Sequence, residues 1–123
     1  MRLADRSNGS VGQLTGPGAP PAPTGAVRTS QSGAIDLSWT APADPGNTAI
    51  QGYGIQRSTD GSTWTTITSD SKSSERTLTV TGLSAGTGYY FRIAARNYAP
   101  EPGPYSPASV LITTPSGPGS PTG

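Results

Sequence analysis

The groups in this chain that could do chemistry are seven carboxylates, eight cationic side chains and a scatter of hydroxyls, with no histidine and no cysteine. Without His the chain lacks the commonest general base and the commonest metal ligand. Without Cys it has neither a thiolate nucleophile nor a disulfide to staple a small domain. The acids are Asp5, Asp36, Asp44, Asp60, Asp70, Glu75 and Glu101, and each falls in a tail, a turn or an outward strand position. Asp44, Asp60 and Asp70 sit where Asp commonly bonds its own backbone in a turn. A paired-carboxylate site needs two acids held across a cleft, and no spacing here supplies one. Lys72 beside Ser73 and Ser74 would mimic a Ser–Lys pair, but no surrounding motif supports it. Isolated oxygens make no cation site either. The sequence therefore predicts no enzyme, no catalytic residue, no cofactor and no metal.

Binding is a different matter. Tyr90, Arg92 and Arg96 alternate along one apolar-polar run and should share the outward face of a strand, with Gln56 beside them. Such a face serves equally as an ordinary solvent-facing sheet, but Tyr and Arg are favoured interface anchors. The stretch from Asn97 to Ser109 carries Tyr98 and Tyr105 among four prolines. Prolines restrict a loop before it binds, so less entropy is lost on docking. Trp64 is read as packing on a sheet edge. A net charge of +1 gives no field for nucleic acid, and no apolar run approaches the ~20 residues of a membrane-spanning helix. The partners predicted are therefore protein surfaces and, as a second possibility, a glycan, with neither nucleic acid nor membrane insertion.

The elements that must position these residues are short strands. Ile35, Leu37 and Trp39 alternate with polar residues, and Tyr53 and Ile55, Leu78 and Val80, Tyr89, Phe91, Ile93 and Ala95, and Val110 and Ile112 likewise recur at every second position. Period-2 alternation puts every second side chain on one face. Of these, Trp39, Tyr53, Ile55, Leu78, Val80, Tyr89, Phe91, Ile93, Val110 and Ile112, with Leu83, are the predicted core. Turn sequences separate the runs: Asp44-Pro45-Gly46-Asn47, Asp60-Gly61, Ala85-Gly86-Thr87-Gly88 and Pro102-Gly103-Pro104. Asp60-Gly61 reads as a hairpin. No window has a helical period, so the fold class is an all-β sandwich or barrel. Residues 1–22 read as an extended, Pro-rich arm that adds nothing to the core, and 115–123 as a Gly/Pro/Ser-rich tail. Leu3, Val11 and Leu14 are the arm's large branched apolar side chains and its expected anchors on a partner.

Between these tails, from Pro23 to Thr114, the sequence resembles the fibronectin type III domain. The resemblance rests on Pro23 before the first strand and Leu37-Ser38-Trp39-Thr40-Ala41-Pro42 for the second. It rests further on Ile50 to Ser58 for the third, Leu78-Thr79-Val80-Thr81-Gly82-Leu83, and Gly86-Thr87-Gly88-Tyr89 opening the longest run. The resemblance implies a seven-stranded antiparallel Greek-key β-sandwich, three strands against four. It also implies a tyrosine corner in which the Tyr89 hydroxyl meets backbone near Leu83. The arm and the loops around Asp44 to Asn47 and Tyr98 to Tyr105 should then share one pole. Ala85 stands where many members carry Pro, and no Arg-Gly-Asp is present.

Domains of this family occur in phage particles, as spacers or carbohydrate-binding modules of secreted bacterial enzymes, and as cell-surface adhesion modules. Met1 with no apolar export segment behind it, and a domain standing alone, favour a virion structural or decoration protein. On that reading the partners are capsid or tail subunits, held through the arm and its neighbouring loops, and the location is the virion. The alternative is an extracellular module of a secreted enzyme or of a cell surface.

Overall fold

The computed structural model describes residues 14–27, 33–100 and 102–115. Seven strands and, among the described residues, no helix are present: β1 (Thr24–Val27), β2 (Ile35–Ser38), β3 (Gly52–Ser58), β4 (Thr65–Thr68), β5 (Thr77–Val80), β6 (Gly88–Arg96) and β7 (Ile112–Thr113). They form two sheets, ordered β1-β2-β5 and β4-β3-β6-β7, with every pairing antiparallel. This is the three-on-four sandwich that the resemblance implies, and a sandwich rather than a barrel among the two classes that alternation and turns leave open.

The alternation selects the faces. Tyr89, Phe91, Ile93 and Ala95 of β6 are buried, and they meet Tyr53 and Ile55 of β3 and Ile35 and Leu37 of β2 between the sheets. Trp39, just beyond β2, is buried with them, its ring 5.4 Å from that of Tyr53 and near perpendicular at 69°, the edge-to-face arrangement that aromatic quadrupoles prefer. Leu78 is only half-buried and packs on the rim of this core. The Ser84 N–H donates to the Tyr89 hydroxyl at 2.9 Å, which is the expected tyrosine corner.

The β3–β4 hairpin is built on Asp60. Its Oδ1 accepts the N–H groups of Ser62 and Thr63, each at 2.8 Å, and the Ser58 hydroxyl at 2.9 Å. These bonds favour the ionised form and, led by the one from Thr63, hold the carboxyl at a pKa of about 2. A bulge opposite Ile55 and Gln56 leaves Ile67 without a ladder partner, and Ile67 packs against the core.

One core expectation fails. Val110 is 79% exposed, although alternation placed it inward with Ile112. The cause lies in the spacing along the last segment. The Ser106 N–H donates to Ile93 O and the Ser109 N–H to Phe91 O. In return, the Ser106 and Ser109 hydroxyls accept the N–H groups of Ile93 and Phe91, each at 3.0 Å. Ile112 then pairs with Tyr89. The segment therefore spends three residues for every two on β6, and serine hydroxyls replace backbone carbonyls in the ladder. Parity is lost at each repeat, and Val110 and Leu111 turn to solvent.

The arm also departs from expectation. Residues 14–22 contain no strand, but Pro17 and Pro20 are buried against the sandwich. The last part of the arm is thus a strap seated on the domain.

Candidate functional site

Two regions collect the side chains that the sequence singles out: the pole where the strap lies, and the outer face of the four-stranded sheet.

At the pole, the strap runs beside the β2–β3 loop and the loop after β6. The Thr15 N–H donates to Asn47 Oδ1 at 2.8 Å, and the Gly18 N–H to Asp44 O at 2.8 Å. Asn97, buried at the end of β6, holds strap and loop together. Its Nδ2 donates to Thr15 O at 2.8 Å and to Pro45 O at 2.9 Å, while its Oδ1 accepts the Ala99 N–H at 2.8 Å. Close approach is possible because two positions lack a Cβ. A side chain at Gly46, which also has φ +82°, would collide with Thr15 O, and one at Gly103 with Pro17 O. Arm and loops therefore do share one pole, as expected for Leu14 onward. Leu3 and Val11 lie outside the described residues. Leu14 is exposed at the strap's outer end.

Beside the strap, Gln51, Asp70, Lys72, Asn97 and Tyr98 line an open cavity of about 370 Å³. Its walls are fixed from within. Asp70 Oδ1 accepts the Lys72 N–H at 2.9 Å, and Asp70 Oδ2 lies 3.6 Å from Arg96 Nε. Gln51 Nε2 donates to Ala49 O at 3.2 Å, and the Tyr98 N–H to Thr48 Oγ1 at 3.1 Å. The Tyr98 side chain itself is free, with the residue 66% exposed.

On the sheet face, Tyr90, Arg92 and Arg96 point outward from β6 as predicted, and Gln56 lies opposite Arg92. Gln56, Arg92 and Arg96 are engaged within the domain, and Tyr90 is half-buried. The Arg92 guanidinium sits between two rings, 4.3 Å from the centroid of Trp64 and 4.5 Å from that of Tyr105. Its Nε and Nη2 both donate to Gln56 Oε1, at 2.8 and 2.7 Å. Tyr105 forms a bridge to Ala94 and lies over Gly54. Arg96 is taken by Asp70. Around Arg92 this face is a network of cation–π and hydrogen-bonded contacts, and of the predicted contact residues that are described, Leu14 and Tyr98 are the exposed large hydrophobic ones.

Sequence reasoning missed the stacking role of Trp64, the clamp made by Asn97 and the cavity wall formed by Gln51, Asp70 and Lys72. Asp70 read as a turn residue and is one, since it accepts the N–H two residues on. Nothing local announces that the same carboxylate reaches across to Arg96. Among the described residues no group of three His, Cys, Asp or Glu is placed to hold a metal ion.

Comparison with known proteins bears on the whole sandwich. The family profile of the fibronectin type III domain matches residues 19–110. The chain is 36% identical over 103 residues to Chitinase 63 of Streptomyces plicatus, covering 84% of this chain and 15% of that enzyme. It is 38% identical over 82 residues to Chitinase A1 of Niallia circulans, covering 66% of this chain and 10% of that enzyme. Among solved structures it superposes on the twitchin kinase region of C. elegans with a TM-score of 0.70 at 27% identity, covering 83% of this chain and 17% of that one. The chain thus spans a small fraction of the length of these curated relatives, and by sequence and by structure it belongs to the fibronectin type III family.

Proposed function

We propose that this chain is a non-catalytic spacer module of a secreted glycan-degrading enzyme, one that holds its neighbours at a set separation and direction. The observation that carries this reading is the similarity to bacterial chitinases across most of the sandwich but only 10–15% of those enzymes. Chitin is an insoluble polymer that must be met outside the cell, which supports an extracellular location. These relatives favour this reading over the virion one, which we set aside.

The path of the chain supports it physically. The strap enters at the pole of Asp44 and Asn97, whereas the chain leaves at the opposite pole. There the Gly86 N–H donates to Pro115 O, and the Thr114 hydroxyl bonds Ser84 O at 2.6 Å. The described segments on either side of the sandwich, as far as Leu14 and Pro115, are thus both bonded to it. Relative motion of linked domains is otherwise the default.

The test is a chimera in which this chain replaces the matching segment of Chitinase 63. The chimera should hydrolyse insoluble chitin as the parent does, and a variant with the segment deleted should be slower on insoluble chitin but unchanged on soluble oligomers. A chimera no better than the deletion contradicts the proposal.

A further inference from the structure

We infer that the cavity beside the strap is a binding site for a neutral sugar ring of a glycan chain, stacked on Tyr98. The inference deepens the spacer reading and rests on it for the class of polymer.

Four features converge on the cavity. Tyr98 offers an aromatic ring, 66% exposed, at its rim, and an aromatic face packs well against the C–H face of a pyranose. The ring is held at its root, because the Tyr98 N–H is bonded to Thr48 Oγ1 and the preceding Asn97 is clamped by the strap and the β2–β3 loop. Less freedom is therefore lost when a ligand docks. The polar lining is the kind that addresses hydroxyl and amide groups. With the bonds already described in place, Gln51 Oε1, the Lys72 ammonium and the Tyr98 hydroxyl have no hydrogen-bond partner among the described residues. Finally, Asp70 and Arg96 offset each other across 3.6 Å, so the charge left at the lining is the Lys72 ammonium, a donor to hydroxyl and amide carbonyl oxygens. A volume of about 370 Å³ falls in the range of roughly 300–1,000 Å³ usual for small-molecule sites.

Lys72 has a further peculiarity. Its backbone is left-handed at φ 56°, a conformation uncommon for a residue with a side chain. The turn that imposes it lays Asp70 and Lys72 over Gly52, where any Cβ would collide with the Asp70 carboxylate. That arrangement is what brings Lys72 to the same cavity as Tyr98.

The experiment is titration of the full chain with tri-N-acetylchitotriose, read by amide chemical shifts. The expected result is saturable shifts confined to the surroundings of Gln51, Asp70, Lys72 and Tyr98. Tyr98→Ala should weaken binding at least tenfold. Because Tyr98 lies outside the core, the variant's remaining spectrum should be unchanged, which separates lost binding from lost folding. Lys72→Met should weaken it less. Absence of saturable shifts, shifts centred on another surface, undiminished binding by Tyr98→Ala, or tighter binding of an oligogalacturonate overturns the inference. None of these outcomes decides the spacer reading, which stands or falls on the chitinase chimera.

Discussion

At the scale of single residues, the side chains that look most available are the most engaged. Arg92 was legible as an outward cation on β6 with Gln56 on the same face, and the strand register sets the two opposite each other. Its enclosure by Trp64 and Tyr105 was not, because those residues come from β4's approach and from a loop, and no local pattern ties them together. An arginine between two rings contributes through stacking and packed methylenes as well as charge. Arg92→Ala should therefore destabilise the domain by about 1 kcal/mol in denaturant unfolding. Arg92→Lys should recover little of that loss, since an ammonium cannot stack its plane or reach Gln56 with two parallel donors. Asp60 gives a pH signature. Its folded pKa of about 2 lies below the ordinary 3.8, so the folded state binds this proton less readily than the unfolded chain. The stabilisation is complete above the unfolded value and disappears as pH falls through about 2. Thermal melts at pH 5 and pH 2 should differ less for Asp60→Asn, which keeps the turn bonds without titrating, than for the parent protein.

At the scale of elements, the strands with strict alternation were readable and the segment without it was not. β2, β3 and β6 show their inward faces in the order of apolar and polar residues. Val110 and Ile112 read as alternating like the other strands, yet from Ser106 to Ile112 the repeat is three. Serines that accept backbone N–H groups set that period, and hydropathy does not report where a hydroxyl points. Ser109→Ala tests the explanation. It leaves the buried Phe91 N–H without its acceptor and should cost about 1–3 kcal/mol, although the residue lost is small and polar. The strap was misjudged for a related reason. Its Pro-rich composition suggests an extended arm that adds nothing to the core, but composition cannot show that Gly46 and Gly103 open a notch for it. Deleting residues 1–22 removes buried Pro17 and Pro20 and should lower the melting temperature by on the order of 5 °C. An unchanged melting temperature would mean that the strap adds nothing to the sandwich.

At the scale of the whole molecule, fold class and family were within reach of the sequence because turn residues, alternation and the tyrosine corner all agree. The assignment of function was less accessible. A sandwich of this type hosts many unrelated tasks, and the sequence alone favoured a virion role, whereas the bacterial relatives it matches are chitinases. The structure adds that the chain enters and leaves at opposite poles through segments bonded to the sandwich. The spacer reading depends on the strap and the sandwich moving as one body. The most direct measurement is backbone ¹⁵N relaxation, including the heteronuclear NOE, across Thr15, Gly16, Gly18, Ala19 and Ala22 in the intact chain. On the ps–ns timescale that relaxation reports, the account predicts order parameters for the strap equal to those of β3 and β6. It also predicts that Asn97→Ala lowers them in the strap alone. Strap values typical of a flexible tail in the unmodified protein would contradict it.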